Sequence, residues 1–237
     1  MLRWSVFLIL IVSRPFSIAD SKLVFSGIEG SLNSDISMQV LKEAYAEIGI
    51  DVEYMPLPGE RSLRTSNAGK VDGEVFRIAN VQKRYKNLLV VPTSINVLQG
   101  IVFSKTHDFR VDGWKSLEPY KIGTQVGIKF VERGTEGMNR IMVDTNQQLF
   151  RMLDSDRVDV AVVAYANGIK ALSKLKLTTI RTLKPAVQEY PLYHYLHKKH
   201  ADLVPLLDAE LQKLHKSGRI KEIRENFIRK AESAISR

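Results

Sequence analysis

Arg61, Arg77 and Arg84 are the candidate anion-binding side chains of this sequence. Arg77 directly follows residues 71–76, a predicted buried strand, and ligands of open α/β sheets bind at the carboxyl ends of parallel strands. A guanidinium group can hold a carboxylate or phosphate through two parallel hydrogen bonds. We therefore expect Arg77 to bind an anionic ligand, with Arg84 and Arg61 as further candidates. The alternatives are a surface ion pair for Arg77 and a solvated basic turn for Arg84.

Backbone and aromatic groups complete the candidate site. Glu29 lies in a glycine-rich loop after the first predicted strand, where a ligand can approach the backbone closely. Gly127 and Ile128 precede a short predicted helix, so their N–H groups are expected to face an anion. Phe76 and Tyr165 are candidates for apolar walls, although aromatic side chains belong more often to the core.

Three histidines, His194, His197 and His200, have the residue type of a zinc or copper site. Side chains alternate between the two faces of a strand, so His194 and His197 should point apart. We therefore expect neither a metal nor another cofactor. We also expect no catalytic residues and a non-enzymatic protein, with Glu29, Glu74 and His194 left as guesses for a general acid or base in the enzymatic alternative.

Two α/β units of similar size follow each other along the chain and would position these groups. Alternating strands and helices are typical of a parallel sheet with right-handed crossovers. In the first unit, strands are predicted at residues 22–27, 51–57, 71–76 and 87–91. In the second unit, strands are predicted at residues 120–123, 139–143 and 158–163, with a helix that begins at a capping box of Thr145 and Gln148.

The last segment, residues 188–237, contains one predicted strand and two predicted helices but no sheet of its own. It must therefore pack on a lobe that is already built. The chain would then cross between the lobes twice, which forms a hinge with a ligand cleft beside it. We expect the first lobe at residues 20–103 plus 189–237 and the second lobe at residues 104–188.

The amino-terminal segment has the pattern of a secretory signal peptide. Arg3 precedes the apolar run 5–12, and after Pro15 the triplet 17–19 places the small residues Ser17 and Ala19 at a cleavage site. A run of eight residues is too short to span a bilayer as a helix. We therefore expect residues 1–19 to be removed after about Ala19 and the mature protein to be periplasmic. The sequence has no cysteine, which excludes disulfides, thiolate metal sites and a bacterial lipid anchor.

The formal net charge of +9 would by itself suit a nucleic acid or an anionic membrane surface. The lysines and arginines, however, are interleaved with acidic residues, as in residues 213–225, and no basic run of five residues occurs. Such interleaving indicates a solvated surface. We therefore expect no nucleic-acid partner and a monomeric protein.

Three segments, at residues 68–92, 120–127 and 156–163, carry a family resemblance. In order and spacing they resemble the bacterial extracytoplasmic solute-binding proteins of family 3, the amino-acid type, and the resemblance covers essentially the whole mature chain. It implies an α/β fold like that of type II periplasmic binding proteins, with two lobes, a double-crossover hinge and a cleft. It also implies a small-molecule ligand and an inner-membrane permease complex or receptor as partner. Arg84 matches the arginine that holds the ligand carboxylate in the amino-acid binders.

The chain departs from the amino-acid binders where they contact their ligand. Phe76 and the three residues after it replace hydroxyl residues, and Gly127 is followed by Ile and Lys rather than by two threonines. Ala164 stands where an aspartate usually meets the ligand's ammonium group, and a buried ammonium ion without a counter-ion is costly. The sequence resembles a divergent branch with the segments "PxxRxL" at 58–63 and "DGExxR" at 72–77.

These departures favour a small anionic, carboxylate-bearing solute over an amino acid. The resemblance implies delivery of that solute to an ABC-type uptake system. Two alternatives remain open: a periplasmic sensory binding partner of a membrane receptor, and a dehydratase-like enzyme on the same scaffold.

Overall fold

The computed structural model describes residues 22–235. The expected signal peptide, residues 1–19, lies outside the described residues. Strands β1 to β4 are Leu23–Ile28, Val52–Leu57, Gly73–Ile78 and Leu88–Ser104, and strands β5 to β8 are Ile122–Gln125, Arg140–Val143, Val160–Ala164 and Arg181–His197. Helices α1 to α7 are Leu32–Ala46, Gly59–Asn67, Lys129–Gly134, Asn146–Asp154, Tyr165–Leu175, Leu203–Lys216 and Arg219–Ser233. Within the described residues no helix has the length and hydropathy that a membrane span requires.

The strands form one eight-stranded mixed sheet in the order β2-β1-β3-β8-β4-β7-β5-β6. At one end β1 lies parallel to β2 and β3, and at the other end β5 lies parallel to β6 and β7. The two α/β units predicted from the alternation of strands and helices are therefore present. Between them, β4 and β8 run antiparallel to each other and to their outer neighbours.

Strands β4 and β8 connect the two lobes as a pair. At the first-lobe end β8 lies beside β3, where Tyr195 of β8 pairs with Glu74, and at the second-lobe end β4 lies beside β7, where Gly100 pairs with Ala164. The register between β4 and β8 is irregular at three places, one of them between Gly100 and Val102. Such irregularities bend and twist a strand pair. Because both strands continue through the crossing, the residue limits of the lobes stay a prediction.

Each lobe has its own hydrophobic core. In the first lobe α1 buries Ile36, Leu41 and Tyr45 against the sheet and the carboxy-terminal helices. In the second lobe Phe103 and Phe150 meet edge to face with ring centroids 5.1 Å apart. Full burial of one such side chain contributes about 1.5–3 kcal/mol, so both cores stabilise the lobes that carry the loops of the cleft.

Local hydrogen bonds define the starts of α1 and α4. The capping box of α4 is confirmed: Thr145 Oγ1 accepts from the N–H of Gln148, and Gln148 Oε1 accepts from the N–H of Thr145. Helix α1 begins at Leu32, and the buried Ser34 hydroxyl donates to Ile28 O over 2.8 Å rather than to a backbone acceptor of a later turn. Helix α5 was not predicted.

Candidate functional site

A cleft of about 530 Å³ lies between the two lobes. This volume is in the range of small-molecule sites. The loop after β1 and the last three residues of β3 line it from the first lobe, and the starts of α3 and α4 together with one face of α5 line it from the second. Leu98, Tyr190 and Leu192 of the crossing strands form its floor. A more open depression of about 640 Å³ beside β6 is lined by one lobe alone, so we assign the site to the cleft.

The structure brings five of the predicted site residues together in this lining: Glu29, Phe76, Arg77, Gly127 and Ile128. The reason is the topology, because the carboxyl ends of the parallel strands β1, β3 and β5 all face the cleft. The strand ends predict the place of Arg77 and Glu29 in this lining, and the ligand-binding roles of all five residues stay predictions.

Arg77 lines the cleft as a neutralised cation. Its Nη2 lies 2.6 Å from Oε1 of Glu74 and donates to the carbonyl oxygen of Gly59 over 2.7 Å. Only 12% of the Arg77 side chain is exposed. The pairing of β3 with β8 is irregular between Glu74 and Arg77, which lets side chains three residues apart meet on a strand. Arg77 thus has an internal counter-ion.

Glu74 is fully buried and lies in a cage of serine hydroxyls. Its Oε2 accepts from Ser62 Oγ at 2.6 Å, from Ser66 Oγ at 3.1 Å and from Ser26 Oγ at 3.2 Å. Burial raises the pKa of the Glu74 carboxyl, while Arg77 and the hydroxyls favour its ionised form. The "DGExxR" segment therefore encodes a buried ion pair behind the cleft wall, which sequence reasoning did not identify.

The backbone N–H groups of Gly127 and Ile128, expected to face an anion, donate to acceptors within the protein instead. The N–H of Gly127 donates to Oε1 of Glu132 over 2.7 Å, and the N–H of Ile128 donates to Gln125 O over 3.4 Å. Lys129 and the Gly127 N–H hold the pKa of Glu132 below its usual range. Both N–H groups already have an acceptor, so these two residues line the cleft without offering an anion site.

Three predicted site residues lie outside the cleft lining. Arg84, whose side chain is 72% exposed, lies 3.3 Å from Glu60 at the surface, so the solvated-turn alternative describes it better than a carboxylate clamp. Arg61 is exposed on α2. The hydroxyl of Tyr165 donates to Glu232 of α7, which directs this ring away from the cleft. We do not include these three in the site.

Helix α5 supplies cations that sequence reasoning missed. Lys170 and Lys174 both line the cleft, and residues four apart lie on one face of a helix. Lys170 Nζ lies 3.2 Å from Asp35 Oδ2 across the cleft, and Lys174 has no ion-pair partner among residues 22–235. The signal was present in the sequence, because Ile169 and Leu172 have helical spacing on the buried face.

Carboxylates are scarce in this cleft. Within the described part of the chain, Glu29 is the single acidic residue of the lining, and it is exposed. Ala164, where the amino-acid binders carry an aspartate, lies in the lining and is 7% exposed. The cleft therefore offers cations to a solute but no buried counter-ion to an ammonium group.

The three histidines do not converge. His194 is buried in the first core, where Nε2 lies 3.1 Å from the Tyr45 hydroxyl and Nδ1 lies 3.2 Å from Val75 O. Burial lowers the pKa of His194 to about 4. His200 Nε2 lies 2.7 Å from Asp72 Oδ1, at the far end of β8. Among residues 22–235 no group of three His, Cys, Asp or Glu side chains is placed to hold a metal ion.

Two α/β lobes that share two long strands and enclose a cleft define a two-lobed binding protein. The sequence profile of the bacterial extracellular solute-binding proteins, family 3, matches residues 9–230. The chain therefore belongs to this family. A protein of Shewanella oneidensis, itself uncharacterized, is 25% identical over 190 residues, which are 76% of this chain and 70% of that protein.

Solved structures share the fold. A histidine kinase sensor domain with similarity to periplasmic binding proteins has a TM-score of 0.68 at 17% identity, covering 87% of this chain and 95% of that one. An ancestral arginine-binding protein bound to arginine has a TM-score of 0.68 at 16% identity, covering 87% and 98%. An amino-acid ABC transporter substrate-binding protein of Streptococcus pneumoniae bound to L-arginine has a TM-score of 0.68 at 17% identity, covering 89% and 96%. The periplasmic-binding-protein fold is thus confirmed.

Proposed function

We propose that this chain is a non-enzymatic periplasmic binding protein that captures a small carboxylate-bearing solute in its cleft for an ABC-type uptake system. Residues 1–19 would direct export, and residues 20–103 plus 189–237 would close on residues 104–188. The solute takes the space between the lobes, and closure reduces the local dielectric, so each charge–charge contact becomes stronger than in water.

The observation that carries the proposal is the charge arrangement on α5. Lys170 and Lys174 lie side by side in the lining, and the exposed Glu29 is the acidic residue that shares it. Arg77 and Lys129 also line the cleft, but Glu74 and Glu132 pair with them. We therefore transfer the anion-binding role from Arg77 to Lys174, with Lys170 beside it.

A thermal-shift screen of the mature protein against organic acids, amino acids and small peptides tests this function. A ligand that binds the folded state raises the melting temperature. We expect organic acids to give the largest shifts, Lys174→Met to reduce the shift, and Lys86→Met, a surface change outside the lining, to preserve it. An equal shift in Lys174→Met and the wild type would refute the assignment of this lysine.

Sensing is the second candidate function, because a histidine kinase sensor domain has the same TM-score, 0.68, as the substrate-binding protein of an amino-acid ABC transporter. The cleft chemistry is common to both functions, so the ligand screen does not separate them. Genes for a permease and an ATPase next to this gene would support uptake, and a neighbouring receptor gene would support sensing.

A further inference from the structure

The floor of the cleft is a continuous apolar surface on three neighbouring strands. Ile78 of β3 pairs with Leu192 of β8, and Leu98 of β4 pairs with Tyr190 of β8. Tyr190 and Leu192 are two residues apart on one strand, so they lie on the same face. All four residues line the cleft. A solute that reaches the floor therefore contacts hydrocarbon and a phenol ring.

Aromatic rings border this floor. The rings of Phe130 and Tyr190 meet edge to face, with centroids 5.8 Å apart and an interplanar angle of 64°. Phe76 lines the same cleft from the first lobe. Aromatic pairs prefer this geometry, and another ring can add to it at similar distances. The walls next to the floor thus suit an aromatic group better than a hydrated polar one.

The charges of the lining suit a single negative group. Lys170 shares its charge with Asp35, whereas Lys174 is without an ion-pair partner in the described chain. Arg77 and Lys129 are each balanced by a carboxylate at 2.6 Å and 2.7 Å, respectively. A second carboxylate on the solute would therefore enter the cleft without a free cation.

An ammonium group is disfavoured by the same lining. Ala164 offers no charge, and Glu29 is exposed to water. An ammonium ion that loses its hydration without a counter-ion costs several kcal/mol. We infer that the solute is a monocarboxylate with an apolar, preferably aromatic body and no ammonium group. This inference rests on the proposed function: the body lies on the floor and the carboxylate faces Lys174 and Lys170.

Isothermal titration calorimetry on the mature full-length protein tests this inference with 3-phenylpropanoate and three probes that each differ from it by one group. 3-Phenylpropanoate has the ring and the carboxylate, and L-phenylalanine adds an ammonium group. Succinate has two carboxylates without a ring, and 3-phenyl-1-propanol has the ring without a charge. We expect 3-phenylpropanoate to bind at least about tenfold more tightly than each of the others, since the loss of one matched group costs about 1.4 kcal/mol or more.

The outcomes separate the inference from the proposed function. Tighter binding of L-phenylalanine or succinate than of 3-phenylpropanoate would overturn the inferred solute class and leave an anion-binding cleft. Equal binding of 3-phenyl-1-propanol and 3-phenylpropanoate would overturn the proposed anion binding itself. A concentration of about 10 mM is well above the dissociation constants of specific sites. If 3-phenylpropanoate does not bind at that concentration, the inference is also overturned.

Substitutions in the floor give an independent readout. Tyr190→Phe keeps the ring and should keep the affinity for 3-phenylpropanoate, while Tyr190→Leu keeps apolar volume without the ring and should weaken it about three- to tenfold. Succinate binding should not distinguish the two variants. Thermal unfolding of both variants verifies that they fold. Equal affinity of the two variants for 3-phenylpropanoate would contradict a ring-on-ring contact at Tyr190.

Discussion

Oδ1 of Asn167 lies 3.1 Å from the backbone nitrogen of Leu32 and accepts its hydrogen bond. Leu32 is the first residue of α1 in the first lobe, and Asn167 lies on α5 in the second. The cap residue of α1, Ser31, makes no side-chain bond to its own helix; its hydroxyl donates to the same Asn167 oxygen over 3.2 Å. A side chain of one lobe thus caps a helix of the other across the cleft.

We expect Asn167→Ala to weaken solute binding about fivefold, because the closed arrangement loses a helix cap worth about 1 kcal/mol. Small-angle X-ray scattering of the ligand-free protein should show a larger radius of gyration than in the wild type. Asn226→Ala, on the exposed side of α7, is the control and should change neither quantity. Unchanged affinity and unchanged scattering in Asn167→Ala would show that this bond does not favour closure.

The buried pair of Glu74 and Arg77 leads to a stability prediction. Arg77→Met leaves the Glu74 carboxylate buried without its counter-ion, so we expect the free energy of unfolding to fall by about 3–5 kcal/mol. The double variant Glu74→Leu/Arg77→Met removes both charges and should recover part of that loss. Urea unfolding of the three proteins measures these differences.

The same variants test the original anion-clamp hypothesis for Arg77. Because Glu74 neutralises Arg77, we expect Arg77→Met to affect unfolding more than solute affinity. A variant with wild-type stability and a hundredfold loss of affinity would restore Arg77 as the anion clamp.

Sequence reasoning found most of the fold because its signals are local. The apolar runs of β1, β3 and β7 and the helical spacing of α1 can be read within about ten residues. Helix α5 was missed because it follows β7 without a loop and contains Asn167 and Gly168, which are turn residues elsewhere. The extra length of β8 was missed because Lys184 and Pro185 interrupt its alternation.

The candidate site was predictable to the extent that strand ends determine it. Glu29 reaches the cleft because it directly follows β1, and Arg77 reaches it because it is the second-last residue of β3. Whether a group is available to a ligand depends on distant partners, such as Glu132 for the Gly127 N–H. Lys174 depends on the undetected helix, so no strand-end rule could identify it.

Acid destabilisation through His194 is expected. Burial lowers the pKa of His194 to about 4 from an ordinary value of 6.5, so the folded state holds this imidazole neutral. Its stabilising contribution is complete above about pH 6.5 and is lost as the pH falls towards 4. The loss amounts to up to about 3 kcal/mol over that window.

Urea unfolding at pH 4, 5, 6 and 7 tests the role of His194. His194→Gln should be less stable at pH 7 but should show a flatter pH profile than the wild type. His215→Gln is the control, because His215 is exposed on α6 and the variant should keep the wild-type profile. Parallel profiles for His194→Gln and the wild type would assign the pH dependence to other groups.

Gly168 lies so close to the ring of Phe103 that a larger residue at this position should destabilise the protein. A Cβ atom at Gly168 would lie 2.4 Å from Cζ of Phe103, a ring that is fully buried in the second core. The ring cannot withdraw, because it already packs edge to face on Phe150. We therefore expect Gly168→Ala to destabilise the protein by about 1–3 kcal/mol, although alanine favours helices.

Gly59→Ala is the matched control for this change. Gly59 is also a helix residue, the first of α2. A Cβ atom there would lie 3.6 Å from its nearest neighbour, Arg77 Nη1, which is an ordinary contact distance. We expect this variant to keep or slightly raise the free energy of unfolding, because alanine restricts the unfolded chain. Urea unfolding of both variants distinguishes a steric clash in the second core from a general effect of glycine replacement: equal destabilisation of the two would argue against the clash with Phe103.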